Sequence, residues 1–252
     1  YHKTSIFPIS IFKYKKEVNG KEGTPNYDLY QLALKSLSKR IYPNIVNVDV
    51  DYMPKTDDPD CENATMGCRT ALGYDRNGLG WSKSGRGNIA PTTMNLVKLG
   101  IEYGICEGKR EKADIEGFLN AFEDLLLLTE KSLIDRYNWI ASKPSKSGFF
   151  MYKNGTMKNS IGRKLEPNEC VNECVKHGTL AIGFLGLAET LQALFGKNQL
   201  DEEAKQFGLD IVDMIYQFTK EASERNNLNF SCYFTPAENS CYTIMKKLQK
   251  EY

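Results

Sequence analysis

Between residues 111 and 141, apolar side chains return every three to four positions: Ile115, Phe118, Leu119, Phe122, Leu125, Leu126 and Leu133. That spacing is the period of an α-helix with a single apolar face, and it predicts a helix over 111–141. A helix of this kind buries its apolar stripe on another layer, so the remaining segments must supply one. YDLYQLALKSLSKRIY (27–42) has helical spacing through Leu29, Leu32, Leu34 and Leu37. Further helices are expected at about 170–195 and 201–225, separated by the turn GKN (196–198). Strand-like content lies in SIFPISIFKY (5–14), where Pro8 points to an edge or irregular segment, and in NIVNVDVDY (44–52) and NLNFSCYF (227–234). The proline and threonines of PTT (91–93) predict a helix start, as do those of TPAENSCYTIMKKL (235–248). Helices outnumber strands, and their alternation indicates an α/β class.

Two stretches have no sustained period, 53–90 and 143–169. The first is rich in Asp, Asn, Gly and Ser and holds two of the seven cysteines. Loops of that length commonly carry function. With 33 basic and 32 acidic side chains, the charge balance argues against a nucleic-acid or anionic-membrane surface. No apolar run approaches the length of a membrane span. The start at Tyr1 shows no signal-peptide order, and its lack of an initiator Met suggests a piece of a longer protein. An odd, irregularly spaced cysteine set predicts free thiols in a reducing, cytoplasmic compartment. In that setting the sequons at Asn63, Asn154 and Asn229 are chance matches.

Four constellations bear chemistry. Cys170, Cys174 and His177 fall at i, i+4 and i+7, one face of a helix, which fits a partial metal site or two cysteines packed in a core. Without a fourth ligand nearby, no metal is assigned. GLGWSKSGRGN (78–88) has the glycines of a phosphate-cradling loop, but Arg86 and Gly87 stand where a P-loop has Lys and Ser or Thr; a flexible turn explains it as well. TPAE (235–238) follows a candidate strand and opens a helix, whose free N–H groups suit a phosphate or need only an ordinary cap. Cys68, in NATMGCRTALG, has no apolar face to sit on. Arg69 would favour a thiolate nucleophile, hydrogen-atom exchange needs a protonated thiol or a thiyl radical, and a structural loop cysteine needs neither. A thiolate hydrolase therefore stands among the candidate functions.

Taken together and in order, MGCRT (66–70), GRGNIAPTTMNLVKLGIE (85–102), HGTLAIGFLGLAETL (177–191) and TPAE (235–238) resemble the anaerobic (class III) ribonucleoside-triphosphate reductases. The opening IFPISIFKYKK…PNYDLYQLAL…KRIYPNIVN (6–47) is similar to the stretch before that family's cysteine loop. The resemblance implies one catalytic-barrel fragment over 1–252: a helix-rich part of a ten-stranded α/β barrel with a central cysteine finger loop. It implies that Cys68 is the tip thiol whose radical abstracts the ribose 3′ hydrogen, and that Asn88 faces the ribose. TPAE matches a loop at the substrate end of the barrel. There the N–H groups of Ala237 and Glu238 could hold phosphate oxygens, an assignment that rests on helix-terminus physics.

The same resemblance implies features not recognisable in this sequence: a regulatory nucleotide domain, a second active-site cysteine, a structural zinc on four cysteines and a glycine that stores the radical. The isolated chain is accordingly expected to have no turnover. Family partners would be ribonucleoside triphosphates, ATP and dNTP effectors, a radical S-adenosylmethionine activating enzyme and a second subunit in a homodimer. The electron source, formate or a small redoxin, stays open. Alternatives are a non-catalytic nucleotide-binding relative, or another glycyl radical enzyme acting on a small acid or alcohol.

Overall fold

The computed structural model describes residues 9–40, 42–51, 53–62, 65–66 and 70–251. The chain divides into two compact units, one of Tyr1–Tyr74 with Trp81–Ser84, the other of Asp75–Gly80 with Gly85–Tyr252.

In the first unit β1 (Ile11–Tyr14) pairs in parallel with β2 (Asn44–Asn47). Between them lies α1 (Tyr27–Leu37), so the predicted strand–helix–strand order holds, with both strands shorter than their sequence signals. Of the α1 leucines, Leu29, Leu32 and Leu34 are exposed; Ala33 is the buried residue. Two short strands, β3 (Thr65–Met66) and β4 (Thr70–Ala71), then pair antiparallel.

The second unit is built on a parallel three-stranded sheet. Its strands are β5 (Asn88–Asn95), β6 (Thr179–Leu185) and β7 (Asn229–Phe234), in that spatial order. Parallel neighbours need long crossovers, and helices supply them. From β5 to β6 the chain runs through α2 (Leu96–Tyr103), α3 (Ile115–Ala141) and the short α4 (Asn172–Val175). From β6 to β7 it runs through α5 (Leu187–Phe195) and α6 (Glu202–Asn226), and α7 (Glu238–Glu251) follows β7. Asp114 caps α3 by accepting from the Gly117 N–H, and Asp201 caps α6 by accepting from Ala204.

The two faces of this sheet differ. Ala90, Met94, Leu180, Ile182, Phe184 and Phe230 join the core with Phe118, Phe122, Leu126 and Leu133 of α3 and Ile211 and Ile215 of α6. The alternate positions carry Pro91 and Thr93 on β5, Ala181 and Gly183 on β6, and Ser231 and Tyr233 on β7. Pro91 and Thr93 are exposed, Ser231 and Tyr233 half-buried. One face is thus packed by helices, and the other is lined by small and polar side chains.

Two segments differ from their sequence expectation. The helix expected to start at PTT is strand β5, and helix begins only at Leu96. Among the described residues β5 is at the edge of this sheet, where proline is tolerated; the Pro91 carbonyl accepts from Arg136 Nη1 at 2.7 Å. The helix expected over 170–195 is three elements, with β6 in its middle. TLAIGFL is apolar on both sides because it is a central parallel strand, so it shows no alternation to read. The long helix over 111–141 is borne out from Ile115, and those of 201–225 and 235–248 are found as α6 and α7.

Candidate functional site

Asn88 opens β5 and is exposed. Counting along an ordinary strand, it would share the packed face with Ala90, Thr92 and Met94. The register is shifted between Asn88 and Ala90: Asn88 pairs with Thr179, and Ala90 with Leu180. The residue between them, Ile89, packs against the core beside Ala90. This bulge moves Asn88 onto the face of Thr179, Ala181 and Gly183, the polar one. An amide there can both donate to and accept from hydroxyl groups without changing protonation state.

At the other end of that face, the Thr93 and Thr235 hydroxyls lie 3.0 Å apart. Gly183 makes room for them, since a Cβ at that position would sit 2.1 Å from Thr235 Oγ1 and 2.8 Å from the Tyr233 ring. The Thr235 N–H bonds the Phe184 carbonyl at 3.3 Å, extending the ladder one step past β7. Helix α7 starts directly after, at Glu238, with the Ala237 carbonyl accepting from Cys241 N at 2.9 Å. TPAE is therefore a strand-to-helix turn at the C-terminal edge of a parallel sheet, the end where such sheets bind ligands. The N–H groups of its first turn have no carbonyl one turn earlier within the helix. Asn88 and the Ala237–Glu238 turn sit at opposite ends of one face, an arrangement suited to an elongated ligand.

Cys68 lies outside the described residues. The segments on either side of it are the paired strands β3 and β4, with Thr65 opposite Ala71 and Met66 opposite Thr70. Just beyond, buried Leu72 gives its carbonyl to the Lys83 ammonium at 2.6 Å, and that ammonium lies 4.8 Å from the Trp81 ring centre.

GLGWSKSGRGN runs largely as turns and does not open a helix, as the loop of a P-loop would. It leads into a strand, and its end is pinned: Lys158 N bonds the Gly85 carbonyl at 2.8 Å, Thr179 N the Gly87 carbonyl at 2.9 Å, and Arg86 Nε the His177 carbonyl at 2.8 Å. Burial lowers the Arg86 guanidinium from its ordinary value, with the charge of Asp75 opposing.

Cys170, Cys174 and His177 do not share a helix face. Cys170 is exposed, Cys174 is buried with Met157 and Leu165, and His177 lies past the end of α4. Among the described residues no cluster of His, Cys, Asp or Glu could hold a metal ion. His177 instead joins a buried network not foreseen from the sequence. Its Nδ1 lies 2.8 Å from Asp75 Oδ2, and its Nε2 lies 3.1 Å from the hydroxyl of exposed Ser160. Asp75 also accepts from Asn229 Nδ2 at 2.7 Å and from the N–H groups of Leu79 and Asn77. Burial works to raise the Asp75 carboxyl, but these hydrogen bonds outweigh it and hold the group below the usual aspartate range. The only signal available was the scarcity of histidine: His177 is one of just two in the chain.

Parallel strands joined by helices, with one packed and one polar face, define an α/β protein of the crossover class. The sequence profile described as "Anaerobic ribonucleoside-triphosphate reductase" matches residues 1–252, the whole chain. The anaerobic ribonucleoside-triphosphate reductase of Haemophilus influenzae is 32% identical over 245 residues, covering 95% of this chain and 32% of that protein. Two solved structures of the Thermotoga maritima anaerobic ribonucleotide reductase share the fold. One, with MES in its active site, aligns at a TM-score of 0.62 and 19% identity over 98% of this chain and 36% of the other. The second, in complex with dATP and CTP, aligns at 0.57 and 18% over 90% and 32%. The chain belongs to the anaerobic ribonucleoside-triphosphate reductase family, and it spans about a third of the length of the relative it matches.

Proposed function

We propose that this chain is a stretch of the catalytic barrel of an oxidoreductase that converts ribonucleoside triphosphates to deoxyribonucleoside triphosphates for DNA synthesis. The observation that carries this is the bulge at the start of β5, which sets the GRGN amide of Asn88 on the polar sheet face in a chain that also holds MGCRT. In this reading Cys68 sits at the tip of a finger loop inside a ten-stranded barrel. Its thiyl radical takes the ribose 3′ hydrogen atom, so that S–H forms as C–H breaks and the unpaired electron passes to the sugar. The two bonds are close in strength and the exchange is nearly balanced; the protein's part is to hold the atoms in reach and keep water and oxygen out. Asn88 orients the ribose hydroxyls, and the α7 N-terminal turn at Ala237 and Glu238 takes phosphate oxygens. Net reduction consumes two electrons from formate or a small redoxin.

The glycyl radical store, the structural zinc, the ATP and dNTP effector sites, the radical S-adenosylmethionine activating enzyme, the homodimer and the cytoplasmic setting belong to the same reading. The described cysteines do not converge as zinc ligands. Among the described residues no helix is long and apolar enough to cross a membrane.

The test compares the full-length protein with its Cys68→Ala variant, activated anaerobically, by electron paramagnetic resonance and deoxynucleotide formation. A variant that stores the radical but makes no product supports the reading. A variant that turns over like the parent sinks it.

A further inference from the structure

Segments remote in sequence meet at the N-terminal end of the β5–β6–β7 sheet. Asp75 and His177 are both fully buried at the side chain and joined at 2.8 Å. Asn229, at the start of β7, ties Asp75 to the sheet through its 2.7 Å bond and reaches the Gly178 carbonyl at 3.3 Å. The far side of this knot holds the GRGN segment. The His177 carbonyl accepts from Arg86 Nε at 2.8 Å, and the next residue, Gly178, has no space for a side chain. A Cβ there would lie 2.4 Å from the Ile89 side chain and 2.7 Å from the Gly87 oxygen. Arg86, Gly87 and Ile89 are thus laid directly against His177 and Gly178, and Asn88 stands between them.

We propose that Asp75 and His177 are positioning residues for the ribose site: by fixing the His177 carbonyl and Gly178, they hold the bulge that turns Asn88 onto the polar face. The inference rests on the reading of Asn88 given above. A buried polar pair that includes a carboxylate is a poor choice for stability alone, because a well-packed apolar pair of similar volume is often at least as stable. What the pair adds is direction. The Nδ1–Oδ2 bond sets the ring, and with it the backbone of the loop entering β6. That loop carries the carbonyl to which Arg86 is bonded.

The experiment is a double-mutant cycle in the full-length protein with Asp75→Asn, Asn88→Ala and the pair together. The readouts are CTP and dCTP affinity of the unactivated protein, and kcat and KM after activation. The ratio of CTP to dCTP affinity reports on ribose contacts, which a general loss of stability does not move. Asp75→Asn is expected to reduce that ratio about fivefold, the worth of one hydrogen bond. It should lower kcat on the order of 10- to 100-fold, as small misplacements do. Neither effect should deepen when Asn88→Ala is already present. His177→Asn, whose amide can replace the Nδ1 donor, should recover much of the ratio, and His177→Leu should not. If Asp75→Asn fails to fold, Arg86→Lys, which keeps the charge and loses the Nε–H, takes its place in the cycle. A wild-type ratio in Asp75→Asn, or effects that simply multiply with Asn88→Ala, overturns the inference. An unchanged ratio in Asn88→Ala overturns the ribose-site reading beneath it, so the two failures are told apart.

Discussion

His177 Nδ1 stands 2.8 Å from Asp75 Oδ2 although 102 positions separate the residues in the chain. Asp75 is held below its ordinary range, burial notwithstanding, by donors from Asn229, His177, Leu79 and Asn77. A carboxyl whose folded pKa is depressed adds stability above its unfolded value, about 3.9, and loses it as pH falls through the folded value. Asp75→Asn is therefore expected to cost about 1.5–3 kcal/mol at pH 7, the range for hydrogen bonds to a charged group. The gap between parent and variant should narrow below about pH 4. Denaturation of both proteins at pH 7 and pH 3 checks this, and a gap that widens in acid contradicts it.

Ile182 is wholly buried in the middle of β6, between strands on both sides and beneath the helical layer. Ile182→Ala should cost about 2–5 kcal/mol, through lost transfer energy and the cavity left behind. Leu200, 84% exposed in the turn before α6, should tolerate alanine within about 0.5 kcal/mol. Thermal midpoints of the two variants give the comparison; equal shifts would mean that β6 is not the centre of the core.

Gly183→Ala would place a methyl group 2.1 Å from Thr235 Oγ1, inside any allowed contact. Thr235 must turn away, which breaks the 3.0 Å contact with the Thr93 hydroxyl at the mouth of TPAE. The expected outcome is a stability loss of about 1–3 kcal/mol, together with weaker triphosphate binding. Titration with a nucleoside and its triphosphate locates the defect: affinity for the triphosphate should fall more than affinity for the nucleoside.

Cys174 and Cys170 should differ in reactivity. Burial pushes the Cys174 thiol up, whereas Cys170 is exposed. Iodoacetamide at neutral pH should modify Cys170 more than about tenfold faster, because the thiolate is the reacting form and access decides the rest. Peptide mapping after a time course reads both. Protection of Cys170 by added zinc would restore the metal site that the geometry argues against.

What was legible in the sequence follows from the physics of each element. Helices α3 and α6 each bury one stripe on the sheet, so their 3.6-residue period is written in Phe118, Phe122, Leu126 and Leu133, and in Ile211 and Ile215. Strand β6 is covered on both faces, and its uniformly apolar TLAIGFL reads as readily as helix. In β5, Pro91 and two threonines mimic a helix start, and only the edge position in the sheet makes them strand residues. Cys68 and TPAE stand out in the local sequence, while the roles proposed for Cys68 and Asn88 rest on family resemblance. Asp75, His177 and Asn229 carry no local pattern at all, because their partners come from distant segments.

The extra residue at the start of β5 gives the count of residues a chemical meaning. Along a strand the two sides alternate like odd and even numbers, and Ile89 changes the parity of everything before it. Replacing Ile89 by Val or Leu keeps the parity. Pulling the bulge straight with Ile89 still in place would rotate the Asn88 amide half a turn, into the layer of phenylalanines and leucines, with every side chain in the GRGN segment still present. At this point in the chain the pairing register, and not any one side chain, decides which way Asn88 faces.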